Sequence, residues 1–167
     1  AGHILISDTV KPHAKQAIKE LKKCGVKKTI MLTGDRKNVA DYVAKDLGIQ
    51  EVYGELLPGD KVSKVEELLD RKSEKEKLAF VGDGINDAPA LATADVGIAM
   101  GAAGSDVALQ AADVALLSED MGRLAEAHRL ARRTAPLIRQ NLAFPMGSMA
   151  ILVTGALFFE LPLPLAL

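Results

Sequence analysis

Short apolar runs of strand length alternate with stretches of helical spacing along most of this chain, and that alternation constrains its fold more than any other feature. His3 to Ser7 reads as a strand, and Pro12 to Cys24 follows as a helix with Ala14, Ala17, Ile18 and Leu21 on one face. Pro12 suits a first helical turn and Gly25 a helix stop. Thr29-Ile30-Met31-Leu32 is the next strand and ends in Thr33-Gly34-Asp35. A helix carrying Val39, Ala40, Val43 and Leu47 inward comes after it, with Gly48 beyond its end. Glu51-Val52-Tyr53 is a strand, Pro58 to Leu69 a helix with Val62, Val65 and Leu68 inward, and Leu78 to Val81 a strand. Shorter strands follow at Val96 to Met100 and Val114 to Leu117. Alternation of this kind implies βαβ crossovers and a parallel sheet covered by helices on both faces. Ligands of such sheets sit beyond the carboxyl ends of the strands.

Thr33, Asp35, Asp83 and Asp87 fall at those ends, on two different strands. The densest of these segments is Val81-Gly82-Asp83-Gly84-Ile85-Asn86-Asp87-Ala88-Pro89-Ala90-Leu91. It places carboxylates, an amide and glycines where a cation meets a ligand and backbone approaches closely. Gly-Asp-Gly alone is an ordinary turn, a lysine at a helix start is usually a surface residue, and Thr-Gly-Asp often only caps the next helix. The order carries the weight: Thr33-Gly34-Asp35, then Lys61 in Pro58-Gly59-Asp60-Lys61, then Asp83 to Asp87, each at a strand–helix junction. Thr33 and the Gly34 amide can donate to phosphoryl oxygens, and Lys61 can offset developing charge. Asp83 is the expected Mg²⁺ ligand. Asn86 and Asp87 are expected to bond phosphate, water or the metal's outer shell, and Asp35 to cap the following helix.

Composition adds a sharp asymmetry. The formal net charge of −1 over 167 residues gives no reason to expect a nucleic-acid partner, and the single cysteine, Cys24, excludes an internal disulfide or a Cys-rich metal site. Charge is dense up to about Arg139 and then nearly absent. Leu142 to Phe159 carries none, and its length approaches the roughly 20 residues that cross a bilayer. Arg129, Arg132, Arg133 and Arg139 precede it and would mark a cytoplasmic side. The expected organisation is an α/β domain over 1–118, a basic stalk helix over 119–141, and a transmembrane segment over 142–167. The chain opens without an initiator Met and reads as a piece of a longer protein.

The order of motifs resembles that of the haloacid dehalogenase superfamily, and over nearly the whole chain it is similar to P-type ATPases. Met31-Leu32-Thr33-Gly34-Asp35 matches that family's second phosphorylation-domain motif, and Gly82 to Leu91 its hinge motif. Asp8-Thr9-Val10-Lys11-Pro12 resembles the segment where the chain returns from the nucleotide-binding domain, although Lys11 stands where an arginine is common. Ala99 to Leu109 looks most like the zinc, cadmium and cobalt exporters.

The resemblance implies a partial Rossmann-like haloacid dehalogenase fold in a membrane pump that uses Mg²⁺ and ATP, forms an aspartyl-phosphate and exports a divalent metal ion. The family's Asp-Lys-Thr-Gly-Thr nucleophile motif is absent here. Its strand lies, in the family fold, between the strands that end at Asp35 and Asp83, so the chain is expected to lack the middle of its sheet. Its expected partners are the rest of the same pump and the lipid bilayer, with the chain inactive alone. Two other readings stay open: a soluble haloacid dehalogenase-type phosphatase, and a non-catalytic membrane-anchored module that binds Mg²⁺ or phosphate.

Overall fold

The computed structural model describes residues 10, 13–82, 85–101 and 106–159. The expected strand at His3 to Ser7, the flanking residues Pro12, Asp83 and Gly84, and the chain beyond Phe159 lie outside them. Two compact units are present, Ala1–Glu126 and Ala127–Leu167.

In the first unit, helix α1 (Ala14–Lys23) buries Ala14, Ala17, Ile18 and Leu21, the face expected from the spacing. It ends where Gly25 takes a left-handed φ of 96° and the Val26 amide donates to the Leu21 carbonyl at 3.1 Å. Strand β1 (Ile30–Leu32) pairs in parallel with β2 (Glu51–Tyr53), and helix α2 (Lys37–Leu47) connects them. The inward face of α2 differs in part from expectation: Ala40 is buried and Val43 and Leu47 are half-buried, as expected, but Val39 is exposed and Ala44 is buried in its stead. Residues four apart share a helix face, and two alanines there let α2 lie close to its neighbours.

Helix α3 (Pro58–Arg71) begins with proline in its first turn and buries Val65 and Leu68. The Asp60 carboxylate accepts the Leu57 amide at 2.9 Å, satisfying a donor that the helix start would leave free. Strands β3 (Ala79–Gly82), β4 (Val96–Met100) and β5 (Val114–Leu116) form a second parallel sheet in that order. A 3₁₀ turn (Ile85–Asp87) and helix α4 (Ala88–Thr93) join β3 to β4, and helix α5 (Asp106–Ala111) joins β4 to β5. Strand alternation divides the core. Val81, Ile98 and Leu116 pack with Leu21, Leu124 and Ala125 on one face, while Phe80 and Ala99 pack with Leu91 and Ala108 on the other. Leu91 is fully buried. Helix α4 lies so near β4 that a Cβ on Gly97 would meet the Leu91 carbonyl oxygen at 2.5 Å, which only glycine avoids.

The parallel sheet is in two pieces, β1–β2 and β3–β4–β5. The break separates the strand leading to Thr33 from the strand leading to Asp83, the place where the sequence comparison within the family expects a missing central strand.

Helix α6 (Met121–Phe159) is 39 residues long and contains Pro136 and Pro145. It opens after Asp120, whose carboxylate accepts the Gly122 amide at 2.8 Å. The stalk and the apolar segment are thus one helix, as expected. Among the described residues no helix is long and apolar enough to cross a membrane. The end of the apolar run, Glu160 to Leu167, lies outside the described residues, and polar Arg139, Gln140 and Asn141 adjoin its start.

Candidate functional site

Lys61 and Asp87, far apart in sequence, meet beyond the carboxyl end of β3. Lys61 Nζ donates to Asp87 Oδ1 at 2.7 Å, and their side chains are 19% and 12% exposed. Asp87 is the one buried charged residue among those described. A carboxylate in that position requires a partner, since an ionised group taken from water without one is strongly disfavoured. Lys61 supplies it from the first turns of α3, and Asp87 is delivered by the 3₁₀ turn that follows β3. Gly82 makes room: a Cβ there would stand 2.7 Å from Asp87 Cβ and 3.0 Å from Oδ2. The first glycine of the Gly82-Asp83-Gly84 segment is therefore a packing requirement of the carboxylate, a role the sequence reading did not assign.

The second group stands at the end of β1. The Thr33 hydroxyl donates to Asp35 Oδ2 at 2.8 Å and accepts the Asp35 amide at 3.1 Å. The loop is strapped to the residues after β2: the Thr33 amide donates to Tyr53 O at 3.0 Å, Leu56 N to Thr33 O at 3.1 Å, and Glu55 N to Asp35 O at 2.7 Å. Glu55 takes a left-handed φ of 59° to make this return. Gly34 lies close beneath it, with its Cβ position 3.3 Å from the Leu56 carbonyl oxygen.

One expectation needs correction. Asp35 does not cap α2, whose N-cap residue is Arg36 with no side-chain cap bond; the Asp35 carboxylate is turned back to Thr33 instead. Asp87 faces the Lys61 ammonium through Oδ1. Asn86 is exposed beside it, and Asp83 lies outside the described residues. Among those residues no group of three His, Cys, Asp or Glu side chains could hold a metal ion. The structure brings together Lys61 with Asp87 and Thr33 with Asp35; among the described residues no hydrogen bond or ion pair links the two pairs.

Two carboxylates missed by the sequence reading fasten the opposite end of the same sheet. Asp95 Oδ2 accepts the Leu78 amide at 2.8 Å and is flanked by Lys72 at 3.3 Å and Lys77 at 3.2 Å. These contacts, the Leu78 amide foremost, hold its carboxyl below the usual aspartate range. Asp113 Oδ2 accepts the Gly97 amide at 2.8 Å. Each lies at the junction leading into a strand, a position where an aspartate reads equally as a turn residue.

The haloacid dehalogenase-like hydrolase family matches residues 1–95. The cadmium, zinc and cobalt-transporting ATPase of Bacillus subtilis is 52% identical over 157 residues, covering 93% of this chain and 22% of that protein. A zinc-transporting ATPase of Synechocystis is 51% identical over 152 residues, 91% of this chain and 21% of that protein. Among solved structures, a zinc-transporting PIB-type ATPase in the E2.Pi state superposes with a TM-score of 0.83 at 44% identity, over 95% of this chain and 25% of that one. The chain thus spans about a fifth to a quarter of the length of these relatives.

Proposed function

Because this chain belongs to the haloacid dehalogenase-like hydrolase family, we propose that it is the C-terminal half of the phosphorylation domain of a P-type ATPase, continued by a stalk helix. The parent protein would couple ATP hydrolysis, through an aspartyl-phosphate, to export of a divalent heavy-metal ion. The likeness to cadmium-, zinc- and cobalt-transporting ATPases supports that substrate class.

The Lys61–Asp87 pair is the observation that carries this reading. A compact ammonium held near a strand end can lower the barrier to phosphoryl transfer by offsetting charge on the phosphoryl oxygens, and Asp87 fixes where that ammonium sits. Thr33 and the Gly34 amide would donate to the same oxygens. In this structure the Thr33 hydroxyl is directed to Asp35, so binding a phosphoryl group means exchanging one acceptor for another. The donor is then already oriented at the end of β1. Asp83 is proposed as the direct Mg²⁺ ligand, with Asp87 committed to Lys61 and Asn86 exposed beside it. Mg²⁺ would neutralise phosphate charge there.

The attacking carboxylate would come from the part of the parent protein that this chain does not contain, on a strand filling the break between β1 and β3. The apolar end of α6 would be covered by the bilayer or by further helices of the pump.

The test uses the parent protein with its complete coding sequence in everted membrane vesicles. Zn²⁺ or Cd²⁺ uptake should require ATP, and Lys61→Met should lower the rate by about 10²-fold or more while nucleotide binding persists. Uptake at the unaltered rate in the Lys61→Met protein would remove Lys61 from the chemistry.

A further inference from the structure

Among the described residues Glu55 is the one non-glycine residue with a positive φ, 59°. At such a φ the Cβ crowds the following carbonyl oxygen, so glycine or asparagine is usual there and glutamate is not. The conformation turns the chain back directly after β2, and two successive amides then face the loop after β1. Glu55 N donates to Asp35 O at 2.7 Å and Leu56 N to Thr33 O at 3.1 Å, while Thr33 N donates to Tyr53 O at 3.0 Å. Thr33 is thus held at both its amide and its carbonyl by the two ends of one turn. All three bonds are backbone to backbone, none uses the Glu55 carboxylate, and Glu55 is exposed. The two segments also meet with no side chain between them. A Cβ on Gly54 would stand 3.0 Å from both Asp35 O and Lys37 Cα, and one on Gly34 would stand 3.3 Å from Leu56 O.

We propose that Glu55 is a positioning residue for phosphoryl transfer: its left-handed backbone, and not its carboxylate, fixes where the Thr33 hydroxyl stands. The hydroxyl accepts the Asp35 amide at 3.1 Å, so a shift of the Asp35 backbone carries the hydroxyl with it. The Glu55 amide on Asp35 O opposes that shift, and the Leu56 amide fixes the Thr33 backbone from which the hydroxyl projects. A residue held in a sparsely populated φ persists when its surroundings over-determine it, and such outliers gather where geometry serves function. Misplacing a group at a reacting centre by about 1 Å is enough to cost a large part of a rate. The inference rests on the proposed contact between Thr33 and the phosphoryl oxygens, and it adds the residue that sets the position of that donor.

The experiment measures phosphoenzyme formation by the parent protein, with its complete coding sequence, over a range of ATP concentrations. Glu55→Gln removes the charge at equal length and should keep the maximal rate within about twofold. Glu55→Gly and Glu55→Asn accept a positive φ readily and should keep it within the same about twofold range. Glu55→Val, β-branched and strained at this φ, should lower the maximal rate about tenfold or more, while the half-saturating ATP concentration stays within about twofold. Gly54→Ala, which presses the turn away from Asp35, should lower the rate likewise and serves as a second variant where Glu55→Val does not fold. Amide exchange in residues 1–167 reads the same clamp without ATP: in Glu55→Val the amides of residues 55 and 56 should exchange about tenfold faster, with those of β4 unchanged. An unaltered parent protein that forms no phosphoenzyme would sink the proposed function, and this role with it. Full maximal rates in both Glu55→Val and Gly54→Ala would overturn the positioning role alone, as would Glu55→Gln as slow as Glu55→Val, since the carboxylate would then be the working group.

Discussion

Lys61 Nζ lies 2.7 Å from Asp87 Oδ1 with both side chains largely buried, so a cation from the start of α3 and an anion from the turn after β3 hold each other beyond the sheet. Replacing Lys61 by Met leaves Asp87 uncompensated and should cost about 2–3 kcal/mol in urea unfolding of the chain. Asp87→Asn should cost less, since an amide oxygen can still accept from Lys61. A double-mutant cycle should return a coupling of at least about 1 kcal/mol. Additive single effects would mean that the pair is a surface contact only.

A second prediction concerns glycine. Gly97→Ala places a methyl against the Leu91 carbonyl oxygen, where backbone must move, and should destabilise the chain by about 1–3 kcal/mol. Gly59 in α3 has nothing within 4 Å of a Cβ, so Gly59→Ala should be neutral or stabilising by up to about 1 kcal/mol. Equal effects at the two positions in thermal melts would contradict the packing of α4 on β4.

These predictions also show what the sequence could convey. All five described strands and the buried face of α1 were readable, because apolar runs of strand length and a spacing of three and four report directly on the backbone. The placement of Thr33, Lys61 and Asp87 at strand–helix junctions was readable for the same reason. What failed depended on tertiary contacts. Val39 looked inward by period yet is exposed, while Ala44, which the period did not single out, is buried beside the expected Ala40. Asp35 looked like a helix cap, yet the loop bound to Leu56 and Glu55 turned its carboxylate to Thr33. The ion pair between Lys61 and Asp87 spans residues that no local pattern connects.

Asp95 makes acid stability informative. Its carboxyl lies below the usual range because it accepts the Leu78 amide and is flanked by Lys77 and Lys72. A group with a lowered folded-state pKa contributes fully above its unfolded value of about 3.9, and that contribution fades as pH falls through the folded value. Asp95→Asn should therefore cost about 1–2 kcal/mol at neutral pH, and the gap should close below about pH 4. A gap unchanged down to acid pH, measured by urea titration, would show that the charge is irrelevant.

The most direct measurement is acyl-phosphate formation from radiolabelled ATP and Mg²⁺. Residues 1–167 alone should take up no hydroxylamine-sensitive label, since no described group is a free carboxylate placed to attack. Supplying a second polypeptide with the upstream part of the parent protein, including the strand proposed for the break between β1 and β3, should restore labelling. Lys61→Met in the 167-residue partner should then reduce it by about 10²-fold. Hydroxylamine-sensitive label on residues 1–167 alone would contradict the assignment, because the nucleophile would then lie within this chain.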